Sequence, residues 1–166
     1  MKTTMGIIGI MGSGEDATEQ DMQMACALGS ELARRNYIVL CGGRNSGVMK
    51  SVIQGVANEG GISVGILPGI NKDDAAPGLT IPVVTGMGNA RNIINILSSD
   101  VVIAIGNTAG TLSEIALTVK NGKYLIVLNQ SKESEAFLRS LKYPKLVFAY
   151  TANEVMNQLN EWLQSY

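Results

Sequence analysis

The 166-residue chain contains no histidine. That absence removes Ser-His-Asp and Cys-His catalysis and any imidazole-bound metal. Acid–base chemistry would have to come from Glu, Asp, Lys, Tyr or Cys. Cysteine is scarce as well, with only Cys26 and Cys41 present. Two cysteines without histidine cannot build a structural zinc site, so no metal site is expected and both should be buried free thiols. Clustered positive charge is also missing. The longest Lys/Arg run is Arg34-Arg35, and the formal net charge is −1. A nucleic-acid groove needs a basic footprint, so a nucleic-acid partner is not expected. No apolar run nears the ~20 residues that span a bilayer, so neither is a membrane partner. The opening "MKTTMGIIGIMGSGED" starts like a secretory signal. Its apolar run is short and rich in glycine, which fits a first core strand better and points to a cytoplasmic protein. With no linker, repeat or low-complexity tract, residues 1–166 should form one domain.

What the chain does have is glycine, 19 residues of it, and a regular alternation of apolar segments. Strands are expected at 5–12, 37–41, 62–68, 79–85, 100–106, 124–129 and 145–150. Pro82 marks the fourth as a possible edge. Between them, helices are expected at 17–35, 47–60, 89–99 and 110–121, with a short helix or loop after Ser131 and a C-terminal helix. The expected inward faces are Ile93, Ile94 and Leu97 on the third helix. On the fourth they are Leu112, Ile115, Ala116 and Val119. Strands apolar throughout, alternating with amphipathic helices, require a parallel sheet covered on both faces. The expected fold is therefore α/β: a Rossmann-like, doubly wound parallel sheet in three α/β/α layers.

Such sheets bind ligands outside the carboxyl ends of their strands. The glycine-bearing turns fall there: Gly12-Ser13-Gly14, Gly42-Gly43-Arg44-Asn45-Ser46-Gly47, Thr85 to Gly88, and Gly106-Asn107-Thr108-Ala109-Gly110-Thr111. The first fits the loose glycine-x-glycine-x-x-alanine dinucleotide fingerprint. However, the acid that would hold a ribose after the second strand is replaced by Cys41-Gly42-Gly43. Gly42 to Gly47 has P-loop spacing, but Val48 stands where the lysine should be.

The helices starting near Gly47 and Gly110 begin on small residues. Their first amides are unpaired and lie at the positive end of the helix dipole, where a phosphate gains about 0.5–2 kcal/mol. Thr108 and Thr111 can add hydroxyl donors, or Thr108 can simply cap its helix. Arg91 can lean over the site and suits a phosphate or carboxylate. Glu114, one turn into its helix, is either part of a cap or an acid facing the pocket, where it could pair with Arg91.

The segments "GGRNSGVM" and "GMGNARNIINILSSDVVIAIGNTAGTLSEI" resemble the SLOG superfamily over roughly residues 5–129. Two subgroups are similar. One is the lonely-guy type of phosphoribohydrolase, which cleaves the N-glycosidic bond of nucleoside 5′-monophosphates. There an arginine and a glutamate form the catalytic pair, and by motif they fall on Arg91 and Glu114. Gly110 and Thr111 also match. Asn92 stands where the hydrolases have lysine, and Gly106, Asn107 and Thr108 stand where they have proline and two glycines. The other subgroup is the molybdenum cofactor carrier proteins, which the Ala109-Gly110-Thr111 loop and "TGMGNARN" resemble. That likeness implies binding of the molybdenum cofactor (molybdopterin with its terminal phosphate). It also implies assembly as a dimer or tetramer and delivery to a recipient molybdoenzyme. The ligand-binding residues would be Gly12, Ser13, Gly14, Gly42, Gly43, Ser46, Gly47, Arg91, Asn107, Thr108, Ala109, Gly110, Thr111 and Glu114. A nucleotide-sensing module without turnover is a third reading.

Overall fold

A computed structural model describes residues 6–164. Seven parallel strands form one sheet: β1 (Ile7–Gly12), β2 (Ile38–Cys41), β3 (Ile62–Leu67), β4 (Ile81–Val84), β5 (Val101–Ile105), β6 (Tyr124–Leu128) and β7 (Leu146–Ala149). Their order is β4-β3-β2-β1-β5-β6-β7. The helices are α1 (Glu19–Arg34), α2 (Gly47–Asn58), α3 (Asn92–Leu97), α4 (Ala109–Lys120), α5 (Lys132–Ser140) and α6 (Ala152–Gln164). The expected strand at 5–12 begins at Ile7, and its Met5 lies outside the described residues. Pro82 does sit in an edge strand, as its missing N–H requires. No helix among the described residues is long and apolar enough to cross a membrane.

Alternation of side chains along the central strands builds a core on each side of the sheet. Ile8, Ile10, Ile103, Ile105, Ile126 and Leu128 pack with α1, α2 and α6. Met11, Val102, Ala104, Leu125 and Val127 pack with Ile96 of α3, Ile115 of α4 and Leu138 of α5. All five residues of β5 are buried, which is why its sequence shows no period-2 alternation. Helices α1 and α2 pack backbone to backbone. A Cβ at Gly55 would stand 2.0 Å from the Cys26 carbonyl oxygen, and one at Gly29 would stand 2.3 Å from that of Val52. Glycine is thus required at both positions to let the helices touch.

Two helical faces differ from expectation. Residues 89–99 do not form one helix. A 3₁₀ turn at Gly88–Arg91 leads into the short α3. A 3₁₀ turn advances faster per residue than an α-helix, which rotates the buried face. Asn95 and Ile96 point inward, whereas Leu97 is 55% exposed. On α4 only Ile115 of the four expected residues is fully buried; Thr111, Glu114 and Thr118 join it, and Leu112 and Ala116 face out. Thr118 can be buried because its hydroxyl donates to the Glu114 carbonyl at 2.7 Å.

The order of strands reverses direction at β1. From there the chain runs outward through β2, β3 and β4, then returns to start β5 on the other side of β1. At such a switch point the connections after adjacent strands leave toward opposite faces and open a crevice. The crevice lies between the turns after Gly12 and Ile105.

Candidate functional site

The turns after β1, β2, β4 and β5 converge on this crevice, which encloses about 140 Å³. Of the residues singled out by sequence, Gly12, Ser13 and Gly14 line it from β1, and Gly42 from β2. Thr108, Gly110 and Glu114 line it from the far side, and Arg91 from the 3₁₀ turn. Arg44, Met49, Asn89 and Asn92 also line it. Sequence reasoning left these four out of its set, although Arg44 lies within a glycine turn and Asn92 follows Arg91.

Gly43, Ser46, Gly47, Asn107, Ala109 and Thr111 do not form its wall. Gly43 lies against Gly65 of β3, where an added Cβ would come within 2.8 Å of the neighbouring Cα. The mouth of α2 is occupied by the β1 turn. The Val48 N–H donates to the Ser13 carbonyl at 2.9 Å, and a Cβ on Gly47 would meet the Gly14 carbonyl at 2.0 Å. Asn107 and Ala109 are exposed, and Thr111 is buried behind Thr108.

The start of α4 is different. Gly106 takes the left-handed turn at φ 77°, so Thr108 reaches the N-cap position in extended geometry. Its hydroxyl nevertheless makes no capping bond. It accepts from Ser13 Oγ at 3.1 Å and lies 3.1 Å from Thr111 Oγ1. By contrast, Thr18 caps α1 and Ser131 caps α5, both away from the crevice. The α4 amides are therefore left open beside Gly110, where an added Cβ would meet nothing within 4 Å. Beneath the loop, buried Asp21 accepts from Thr18 and from Asn129 Nδ2 at 2.6 Å. Gln130 Nε2 donates to the Gly106 carbonyl at 2.6 Å. Sequence reasoning missed this support, and the Thr18-x-x-Asp21 capping box was its only local signal.

Arg91 and Glu114 form the floor of the crevice. Arg91 Nη1 lies 3.7 Å from Glu114 Oε1, with both side chains 9% exposed. Gly42 makes room for the guanidinium, since a Cβ there would come within 2.6 Å of Arg91 Nη2. Arg91 Nη1 also donates to Asn92 Oδ1. Asn92 Nδ2 in turn donates to Ser113 Oγ at 3.3 Å, tying α3 to α4. Asn95 Nδ2 donates to Glu114 Oε1 at 3.4 Å. Burial pushes the Glu114 carboxyl up to about 7, and the pull of Arg91 and Asn95 only partly opposes it. Burial likewise lowers the Arg91 guanidinium from its usual value, against the pull of Glu114. Buried Cys41, beneath Gly42, is pushed up to about 11 by desolvation and stays a thiol. Both cysteines are free; Cys41 is buried as expected, but Cys26 is only half-buried. Among the described residues, no three His, Cys, Asp or Glu side chains cluster to hold a metal ion.

An open helix start, a buried arginine and a carboxyl near neutrality form a pocket suited to a phosphorylated small molecule. Comparison with known proteins agrees with the shape of the whole chain. The molybdenum cofactor binding protein from the phototrophic bacterium Rippkaea orientalis superimposes with TM-score 0.93 at 41% identity, covering 98% of this chain and 99% of that one. The molybdenum cofactor carrier protein of Chlamydomonas reinhardtii gives TM-score 0.89 at 37% identity, covering 97% and 99%. An uncharacterised protein of Archaeoglobus fulgidus is 39% identical over 116 residues, 70% of this chain and 75% of that protein. The model of the SLOG cluster4 family matches residues 5–156, and the chain belongs to that family.

Proposed function

We propose that the protein binds the molybdenum cofactor as cargo, shields it and hands it to a recipient molybdoenzyme. The observation that carries this reading is the uncapped start of α4 opening into the crevice beside Gly110. The cofactor's terminal phosphate would accept from these amides, favoured by the helix dipole. The pterin would lie along the Gly12 to Gly14 and Gly42 turns, with the side chains of Met49 and Arg91 against it. Buried Arg91 Nε has no hydrogen-bond partner among the described residues. Leaving such a donor unpaired costs about 1–3 kcal/mol, which a ligand acceptor would recover. Similarity to proteins described as binding or carrying this cofactor supports the same reading.

The Arg91–Glu114 pair favours a second reading, hydrolysis of a nucleoside 5′-monophosphate. A carboxyl poised near pH 7 can activate water, and the arginine can orient it or hold phosphate. One experiment separates the two. Protein purified anaerobically from a molybdenum-cofactor-producing host is expected to carry a pterin that fluoresces after oxidation. It is expected to release no base from AMP or isopentenyladenosine monophosphate. Base release that disappears in Glu114→Gln would replace the carrier reading with the hydrolase.

The crevice, at about 140 Å³, is smaller than the 300 Å³ or more typical of pockets that enclose a whole small ligand. Beside it lies an apolar groove of about 570 Å³ between α3 and α4, which shares Asn89 and Asn92 with the crevice wall. Exposed Leu97 and Leu112 lie on the same two helices. We take this face to be covered by a second copy, giving a homodimer or a tetramer that walls in the ligand. Light scattering is expected to return at least twice the chain mass of 17.6 kDa, and a monomer mass at working concentration would remove the assembly.

A further inference from the structure

We infer that Arg44 is a ligand-contacting residue that sets specificity, reading the end of the cargo opposite its phosphate. The inference rests on the proposed reading of the crevice as a site for an elongated phosphorylated molecule.

Three observations carry it. First, Arg44 lines the crevice and is half-buried, yet no hydrogen bond or ion pair engages its side chain among the described residues. Arg91, by comparison, already has Glu114 as its counter-charge. A guanidinium offers five donors in a fixed fork, and one left without acceptors beside a cavity is matched to an acceptor brought from outside.

Second, its backbone is held in place. Arg44 forms an antiparallel bridge with Ala75. The flanking groups are tied to the same strap: the Asn45 N–H donates to the Asp74 carbonyl at 2.8 Å, and the Ala76 N–H to the Gly43 carbonyl at 2.9 Å. The irregular 69–78 segment thus fixes the turn from outside. Neither Asp73 nor Asp74 pairs with the arginine. Little backbone ordering remains to be done when a ligand arrives.

Third, the topology separates Arg44 from the start of α4. Arg44 follows β2 and Gly110 follows β5, with β1 between them in the sheet. Neighbouring strands lie about 4.8 Å apart, so the strand ends that carry the two turns are roughly 10 Å apart. The two turns face each other across β1, so a molecule whose phosphate rests on the α4 start carries its ring system toward Arg44. Arg44 would then donate to ring carbonyl oxygen or nitrogen acceptors over the Gly42 turn.

The test compares wild type, Arg44→Gln and Arg44→Lys by calorimetry with three probes: inorganic phosphate, molybdopterin released from a molybdoenzyme, and AMP. Thermal melts check that folding is unchanged. Arg44→Gln is expected to weaken molybdopterin about 10-fold and phosphate less than about 3-fold, because free phosphate keeps its donors at the α4 start while the ring end loses its own. Arg44→Lys should recover only part of the loss, since a point charge cannot replace the fork. An equal loss for phosphate and molybdopterin would reduce Arg44 to a general source of field, and no loss for molybdopterin would remove it from the site; either overturns the inference. A wild type that ignores molybdopterin but binds AMP with the same Arg44 dependence would sink the carrier reading and leave Arg44 in its role. Failure to bind all three probes would end both.

Discussion

Replacing Glu114 by glutamine is expected to make the protein about 3 kcal/mol more stable than wild type at pH 8, and no different at pH 4. The carboxyl is raised from 4.5 to about 7 in the folded protein, chiefly by burial. Between those values the native state binds a proton that the unfolded chain has released. Stability therefore falls as pH rises through this window, by up to roughly 1.4 kcal/mol for each step of one in pH. Below 4.5 both states are protonated and the penalty is absent; above 7 it is complete. Glutamine mimics the protonated acid and removes the slope. Denaturant midpoints measured from pH 4 to pH 8 should fall for wild type and stay level for the variant, apart from other groups common to both. Parallel curves would mean that the folded and unfolded states release the Glu114 proton at the same pH, with Arg91 fully offsetting the cost of burial. The same proton sits in the floor of the crevice, so ligand affinity should also change near pH 7.

Placing leucine at position 110 is expected to weaken molybdopterin and phosphate binding by about 100-fold without loss of stability. The two effects separate because of where the Cβ would go. Gly110 lines the crevice, and an added Cβ there has open space beside the open amides of α4. Charge-assisted hydrogen bonds contribute about 1.5–3 kcal/mol each, so displacing one or two corresponds to roughly that fold-change. Leucine is also a better helix former than glycine, by as much as about 1 kcal/mol, so melting should hold or rise. Calorimetry with both ligands and a thermal melt on the same sample check both halves. Undiminished phosphate affinity would place the anion somewhere other than the α4 start and would remove the central support of the proposed function.

The mouths of α2 and α4 look alike in sequence, each a run of small residues after a buried strand. What distinguishes them is a contact between distant segments. The Ser13–Gly14 carbonyls close the first, whereas Ser13 Oγ draws the Thr108 hydroxyl away from capping the second. Arg44 illustrates the same difficulty. Its position in a glycine turn is plain, but its lack of a counter-charge depends on how the 69–78 strap folds back. The faces of α3 and α4 differ from expectation because apolar residues surround both helices, and hydrophobic periodicity cannot choose between two apolar sides. The pairing of Arg91 with Glu114 is readable as a motif, but its burial and its 3.7 Å separation are not.

Pattern along the chain was enough to specify the parallel sheet, its two-sided core and the edge on which ligand chemistry gathers. Those features follow from local periodicity and from where glycines interrupt it. Which helix start remains open, which acid is driven toward neutrality and which arginine is left without a partner emerge only on packing. Each depends on desolvation and on hydrogen bonds between residues some 20 to 110 positions apart, such as Asn129 with Asp21, and such terms exist only once the layers have come together.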